Sequence, residues 1–250
     1  MTTQPIAFIG AGPGDPELIT LKGRRLLDEA DLIIYAGSLV NKDLLTGLTS
    51  EIHDSASLNL DQIIELIRDG FAAGKKIVRL HTGDPAIYGA IREQMQRLQK
   101  HHIPYTVVPG VSSATAAAAA LQVELTVPEI TQTVILTRQA GRTPVPEKES
   151  LKKLAAIQAS MCIFLSVSMI ESVVGELMAG GYPADTPIAV VEKASWPEQR
   201  IIRGDLSDIA SKVQEGGIKK TAMILVGQAL NEEPDTVSKL YDKRFSHEYR

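Results

Sequence analysis

Apolar residues along this chain come in blocks that alternate between two periodicities. Short β-prone runs stand at IAFIG (6–10), LIIYAG (32–37), KIVRLHTG (76–83) and YTVVPG (105–110) in the first half. TVILT (133–137), MCIFLS (161–166), IAVVEKAS (188–195), RIIRG (200–204) and AMILVG (222–227) follow in the second. Between them lie stretches with helical spacing. In LDQIIELIRDGFAAG, Leu60, Ile63, Ile64, Ile67 and Phe71 share one face, and Gly74 is placed to end the helix. Strands alternating with helices predict an α/β architecture.

The segment QVELTVPEITQTVILT (122–137) carries Pro128 between two β-prone stretches, and the pattern restarts after it. Two α/β domains are therefore expected, over 1–125 and 126–231, with a charged tail at 232–250. In the second half only WPEQ separates IAVVEKAS from RIIRG. That is too short for a crossover helix, so a mixed sheet containing a hairpin is predicted there.

Composition narrows the function classes. The 250 residues carry a net charge of −4 with both signs interspersed, which leaves no basic footprint for nucleic acid or a membrane surface. No nucleic-acid partner and no membrane partner are expected. The opening MTTQPIAFIG has no basic leader region, and no apolar run approaches the roughly 18 residues of a membrane span. A cytoplasmic protein with a small-molecule partner is the expectation. The single cysteine, Cys162, lies in an apolar run and reads as a small buried hydrophobe. The histidines show no metal-ligand spacing, and neither G-x-S-x-G nor a P-loop is present, so no metal site is expected. His81, at a strand end, reads as structural rather than as a general base.

The first strand run breaks into Gly10, Gly12 and Gly14. A dinucleotide fingerprint needs its third glycine where Asp15 stands, and Pro13 removes a backbone N–H from the turn. The next strand also ends without a ribose-binding carboxylate. Two readings remain: a tight strand-to-helix turn, or a loop whose backbone approaches a different ligand with Asp15 facing a cleft.

Three further loops follow strand ends. HTGDPAIYG (81–89) carries a Gly-Asp-Pro turn. VPGVSSATAAAAALQ (108–122) offers Ser112 or Ser113 as a helix cap, then an alanine face suited either to close packing or to ligand contact. TRQAGRTPVPE (137–147) supplies Arg138 and Arg142, either solvated or gripping the carboxylates of a polyanionic ligand.

Taken together, FIGAGPGDPELITLKGRRLLDEADLIIYAGSLV, RLHTGDPAIYGAIREQM, VVPGVSSATAAAAALQ, TVILTRQAGRTPVPE, IFLS and AVVEKASWPEQRIIRGDL stand in the order found in the tetrapyrrole methylase family. The resemblance covers roughly residues 5 to 230. It implies an S-adenosylmethionine-dependent methyltransferase, releasing S-adenosylhomocysteine, built as a homodimer of two α/β domains with the cofactor in a cleft between them. YAGSLV, LHTGDPAIYGA, LTRQAGRTPVPE and ASWPEQ resemble the branch that methylates C11 of precorrin-4 or cobalt-precorrin-4 in cobalamin synthesis. The alternatives are another tetrapyrrole methylase, such as one acting on uroporphyrinogen III, or a diphthamide-forming methylase. A dinucleotide-dependent oxidoreductase is the reading from a different class.

By motif, the resemblance implies cofactor contacts at Pro13, Thr82, Gly83, Asp84, Ile87, Tyr88, Ser113 and Ala114 or Thr115 in the first domain. In the second it implies Leu165, where many relatives carry Met, together with Ala194 and Ala222 or Met223. Methyl transfer from a sulfonium chiefly needs alignment and exclusion of water. The candidates at the reacting edge are Asp15 and Tyr88, the latter also able to pack on the cofactor's adenine side. Arg138 and Arg142 are expected to grip the acetate and propionate groups of a tetrapyrrole.

Overall fold

The computed structural model describes residues 4–231 and Ser238; the tail expected at 232–250 otherwise lies outside the described residues. The chain divides into two compact units, Met1–Ala116 with Ser195–Pro197, and Ala117–Ala194 with Glu198–Arg250.

The first unit runs β1 (Ile6–Gly10), α1 (Leu21–Asp28), β2 (Leu32–Tyr35), β3 (Glu51–Asp54), α2 (Leu60–Ala72), β4 (Ile77–His81), α3 (Ile91–Lys100) and β5 (Tyr105–Val108). Its sheet is wholly parallel in the order β3-β2-β4-β1-β5. Parallel neighbours need crossovers that cover both faces, which is why β1 and β2 read as unbroken apolar runs and why β4 is buried throughout, its Arg79 and His81 included. Ile6, Phe8, Leu32 and Ile34 pack on one face with Ile64 and Ile67 of α2 and Leu98 of α3. Ala7, Ile9, Ile33 and Tyr35 pack on the other with Leu27 of α1.

Helix α2 forms where the apolar spacing places it. Asn59 and Gln62 make a reciprocal capping box at 3.0 and 2.9 Å. At the far end Gly74, at φ +75°, donates to the Phe71 carbonyl while Lys75 N–H reaches Gly70, so the glycine closes the helix as its position predicts. Strand β3 is absent from the sequence expectation. Its EIHD side chains lie at the sheet edge and are mostly exposed, so they show no apolar pattern.

Helix α4 (Ser113–Leu121) runs across the division between the units. The second unit continues with β6 (Val134–Arg138), α5 (Leu151–Ala155), β7 (Ser160–Phe164), α6 (Ile170–Ala179), β8 (Pro187–Glu192), β9 (Arg200–Asp205), α7 (Ile209–Glu215) and β10 (Ala222–Val226). Its sheet has the order β6-β7-β10-β8-β9, with β6 and β7 parallel and the remaining pairs antiparallel. This is a mixed sheet, and β8 and β9 are antiparallel neighbours, as their short connection requires. Met161, Ile163, Ile188, Val190, Ile224 and Val226 face Ile170, Val173 and Leu177 of α6 and Ile209 and Val213 of α7. Cys162 is buried, and burial pushes its thiol pKa up to about 12, which leaves it inert.

Candidate active site

In the first unit the loops after β1, β4 and β5 converge on three glycines. A Cβ on Gly10 would lie 2.5 Å from the Gly83 carbonyl oxygen and 2.6 Å from the Gly110 Cα; one on Gly110 would lie 2.2 Å from the same oxygen. Only glycine lets three backbones meet this closely. Gly12 and Gly83 then exchange backbone hydrogen bonds of 3.3 and 2.8 Å, tying the first loop to the second. Asp84 ties the second to the third. Its Oδ2 accepts from Gly110 N–H at 2.9 Å and its Oδ1 from Ala86 N–H at 2.8 Å. The carboxylate thus shapes the loops themselves.

Beyond Asp84 the chain is strained. Tyr88 and Ala90 adopt left-handed φ values of 55° and 50°, costly for residues with a Cβ, and Tyr88 remains 47% exposed. The turn is held from beneath. Gln94 donates from Nε2 to the Ala90 carbonyl and accepts from Nε of buried Arg79, whose Nη1 donates to the Ile34 carbonyl. Burial lowers the Arg79 pKa to about 10. His81 stacks near Phe8 and is 4% exposed, with no partner for Nε2 among the described residues. Burial first, then the Arg79 charge, lowers its pKa to about 3, so at neutral pH it is an uncharged core residue.

Pro13 and Asp15 sit in a loop gripped from three sides. Trp196 Nε1 donates to the Pro13 carbonyl at 2.9 Å, buried Asn41 Nδ2 to the Gly14 carbonyl at 2.9 Å, and Asp15 N–H to Ser195 Oγ at 3.0 Å. Gly14 is glycine because its Cβ would fall 2.0 Å from Trp196 Cδ1. The Asp15 carboxylate caps the 3-10 turn Pro16–Leu18 by accepting from Glu17 N–H at 2.9 Å. At the start of α4, Ser112 is the cap, its Oγ accepting from Ala114 N–H and its carbonyl from Thr115 Oγ1. Thr82, Ile87 and Ser113 are half-buried, Ala114 is buried and Thr115 exposed. Ser195 and Gln94 lie inside the quoted motifs but were assigned no role there, and Asn41 lies outside them; its N-cap position before KDLL was the one available signal.

In the second unit Arg138, Leu165, Ala194 and Ala222 gather at one end of the sheet. Arg138 and Phe164 are register partners at the ends of β6 and β7. Leu165 follows at φ +55°, and it is 67% exposed. Ser166, wholly buried behind it, donates to the Phe164 carbonyl at 2.6 Å and accepts from Gln139 N–H at 2.8 Å. A left-handed leucine held open to solvent by a buried serine marks a surface kept for contact rather than for the core. Antiparallel register pairs Ile224 with Ile163 and Ala222 with Glu192, so half-buried Ala222, which begins β10, stands at the same end of the sheet as Leu165 after β7 and buried Ala194 after β8; buried Met223 follows. Arg138 donates to the carbonyls of Gln139, Thr143 and Pro144, whereas Arg142 is exposed.

Among the described residues no helix is long and apolar enough to cross a membrane, and no group of three His, Cys, Asp or Glu could hold a metal ion. The arrangement is a set of backbone-rich loops and exposed apolar side chains, suited to holding and aligning a ligand.

Known proteins share this arrangement. The model of the Tetrapyrrole (Corrin/Porphyrin) Methylases matches residues 5–210. A cobalt-precorrin-4 C(11)-methyltransferase of Methanocaldococcus jannaschii is 58% identical over 98% of this chain and 95% of its own. The crystal structure of a cobalt precorrin-4 methyltransferase of cobalamin biosynthesis superposes with a TM-score of 0.89 at 47% identity, over 91% of this chain and 96% of that one. A uroporphyrin-III C-methyl transferase from Thermus thermophilus, complexed with S-adenyl homocysteine, superposes at 0.77 with 28% identity, over 91% and 99%. With its motifs, its two sheets and its loops in the same order, this chain belongs to the tetrapyrrole methylase family.

Proposed function

We propose that this protein methylates C11 of cobalt-precorrin-4, or of its metal-free counterpart precorrin-4, as a homodimer in the cytoplasm, with S-adenosylmethionine as methyl donor. The observation that carries this reading is the end-to-end 58% identity to a relative named for that reaction. The loops fit such a donor: half-buried Thr82 and Ile87 and the solvent-open Tyr88 and Leu165 offer polar edges and apolar faces to a nucleoside thioether. S-adenosylmethionine, when bound, supplies an electrophilic methyl group on a sulfonium sulfur.

The protein's share is positioning and exclusion of water. On the first unit, Pro13, Thr82, Gly83, Asp84, Ile87, Ser113, Ala114 and Thr115 are the cofactor contacts we assign, Asp84 chiefly by shaping the loop. Tyr88 covers the reacting edge, and Asp15 is the carboxylate we assign to accept charge there. On the second unit we assign cofactor contacts to Leu165, Ala194, Ala222 and Met223. The loop that carries Arg138 and Arg142 supplies the positive charge for the substrate's carboxylates, with Arg142 at its exposed tip. No side-chain nucleophile is needed, in keeping with Cys162 and His81 being buried and uncharged at neutral pH.

The test is anaerobic incubation with methyl-labelled S-adenosylmethionine and precorrin-4, with and without cobalt, followed by NMR location of the new methyl. A methyl on C11 is the expected result. Transfer to another carbon, or to neither macrocycle, refutes the assignment.

A further inference from the structure

Among the basic residues at the end of the second sheet, Arg138 and Arg142 stand in different situations. Arg138 is half-buried, and both its terminal nitrogens are committed: Nη1 to the carbonyls of Gln139 at 3.3 Å and Thr143 at 3.2 Å, Nη2 to that of Pro144 at 2.7 Å. The loop that follows therefore closes around its own first guanidinium. A cross-link from Gly141 N–H to the Thr143 carbonyl at 3.2 Å tightens the ring. Its entry is pinned by Gln139, whose N–H reaches Ser166 Oγ and whose Nε2 reaches Ser172 Oγ at 3.2 Å.

Every acceptor on Arg138 is a neutral carbonyl, so its charge is not cancelled, and among the described residues no carboxylate pairs with it. Arg142 sits at the exposed tip of the ring, and among the described residues it makes no hydrogen bond or ion pair. A carboxylate needs a free planar fork for two parallel bonds, which Arg142 has at both terminal nitrogens and Arg138 does not.

We propose that Arg138 is a positioning residue that wraps the 139–144 loop so that Arg142 is presented to a carboxylate of the tetrapyrrole. The proposal rests on the function assigned above. The two arginines are thus one device: a scaffold guanidinium and a contact guanidinium.

The test is a double-mutant cycle in the full-length enzyme, read as KM for the tetrapyrrole, KM for S-adenosylmethionine and kcat. Arg142→Ala is expected to raise the tetrapyrrole KM on the order of ten- to a hundredfold, the range for a charge-assisted bond, with cofactor KM unchanged. Arg138→Met is expected to do the same, and Arg138→Lys not to rescue it, because a point ammonium cannot bridge three carbonyls in one plane. In the Arg142→Ala background, Arg138→Met is expected to add nothing.

Additive effects would mean that Arg138 contacts substrate on its own, and would overturn the proposal. Rescue by lysine would do so as well, and so would a rise in cofactor KM with Arg138→Met, since that reports general damage. Each variant is also titrated with uroporphyrin III, a polycarboxylate tetrapyrrole, by absorbance. If the wild type methylates neither form of precorrin-4, the assigned reaction fails, while the binding cycle still decides the roles of the arginines.

Discussion

Replacing Asp84 by alanine tests the loop architecture directly. The substitution removes two acceptors at once, for Gly110 N–H at 2.9 Å and for Ala86 N–H at 2.8 Å. Hydrogen bonds to a charged group contribute about 1.5–3 kcal/mol each when buried. Asp84 is half-buried, so water recovers part of each loss, and the pair together should be worth about 2–3 kcal/mol. For a chain of this size that corresponds to a fall in Tm of roughly 4–12 °C.

The second consequence is local. With the tie gone, the loop after β5 is no longer drawn to the loop after β4, and Gly83 and Gly110 lose the close approach that their missing Cβ atoms permit. Affinity for S-adenosylhomocysteine should fall with stability. Differential scanning calorimetry without ligand and titration calorimetry with S-adenosylhomocysteine separate the two effects. A fall in affinity with an unchanged ligand-free Tm would refute the reasoning, because Asp84 would then act on the ligand rather than on the loops. Asp84→Asn keeps one acceptor oxygen but turns an amide donor toward the other N–H, and should recover at most half of the loss.

Two further predictions concern neighbouring residues. Gly14→Ala places a methyl 2.0 Å from Trp196 Cδ1 and should expel the indole, breaking its bond to the Pro13 carbonyl. Overpacking of this kind costs about 1–3 kcal/mol, and because Trp196 is the single tryptophan, its fluorescence should shift to the red; an unshifted spectrum would refute the contact. His81 is held neutral down to about pH 3 in the folded protein but titrates near 6.5 once unfolded. Only the unfolded chain takes up this proton between those values, so His81 costs nothing above pH 6.5 and lowers stability by about 1.4 kcal/mol per pH unit as the pH falls toward 3. Comparing unfolding free energies at pH 7 and pH 5, His81→Leu should lose about 2 kcal/mol less than the wild type; equal losses would place the acid sensitivity elsewhere.

The α/β alternation, the nine apolar strands, the one-sided α2 with its closing glycine and the mixed second sheet could all be read from the chain, because each rests on a local period or a connection length. Gly10, Gly12, Asp84 and Leu165 could be picked out by motif, yet not by role. A glycine pattern does not say which backbone approaches it, and a carboxylate in a turn does not say whether it faces ligand or N–H. That Asp84 joins two loops, that Ser195 and Trp196 grip a loop some 180 residues earlier, and that Arg138 is bonded to its own loop while Arg142 is left exposed were decided only by tertiary structure. The edge strand β3 was hidden for the same reason: its partners, not its own side chains, make it a strand. Periodicity records what each segment buries, whereas the site depends on which distant backbones meet, and that is set by the order of strands in the two sheets.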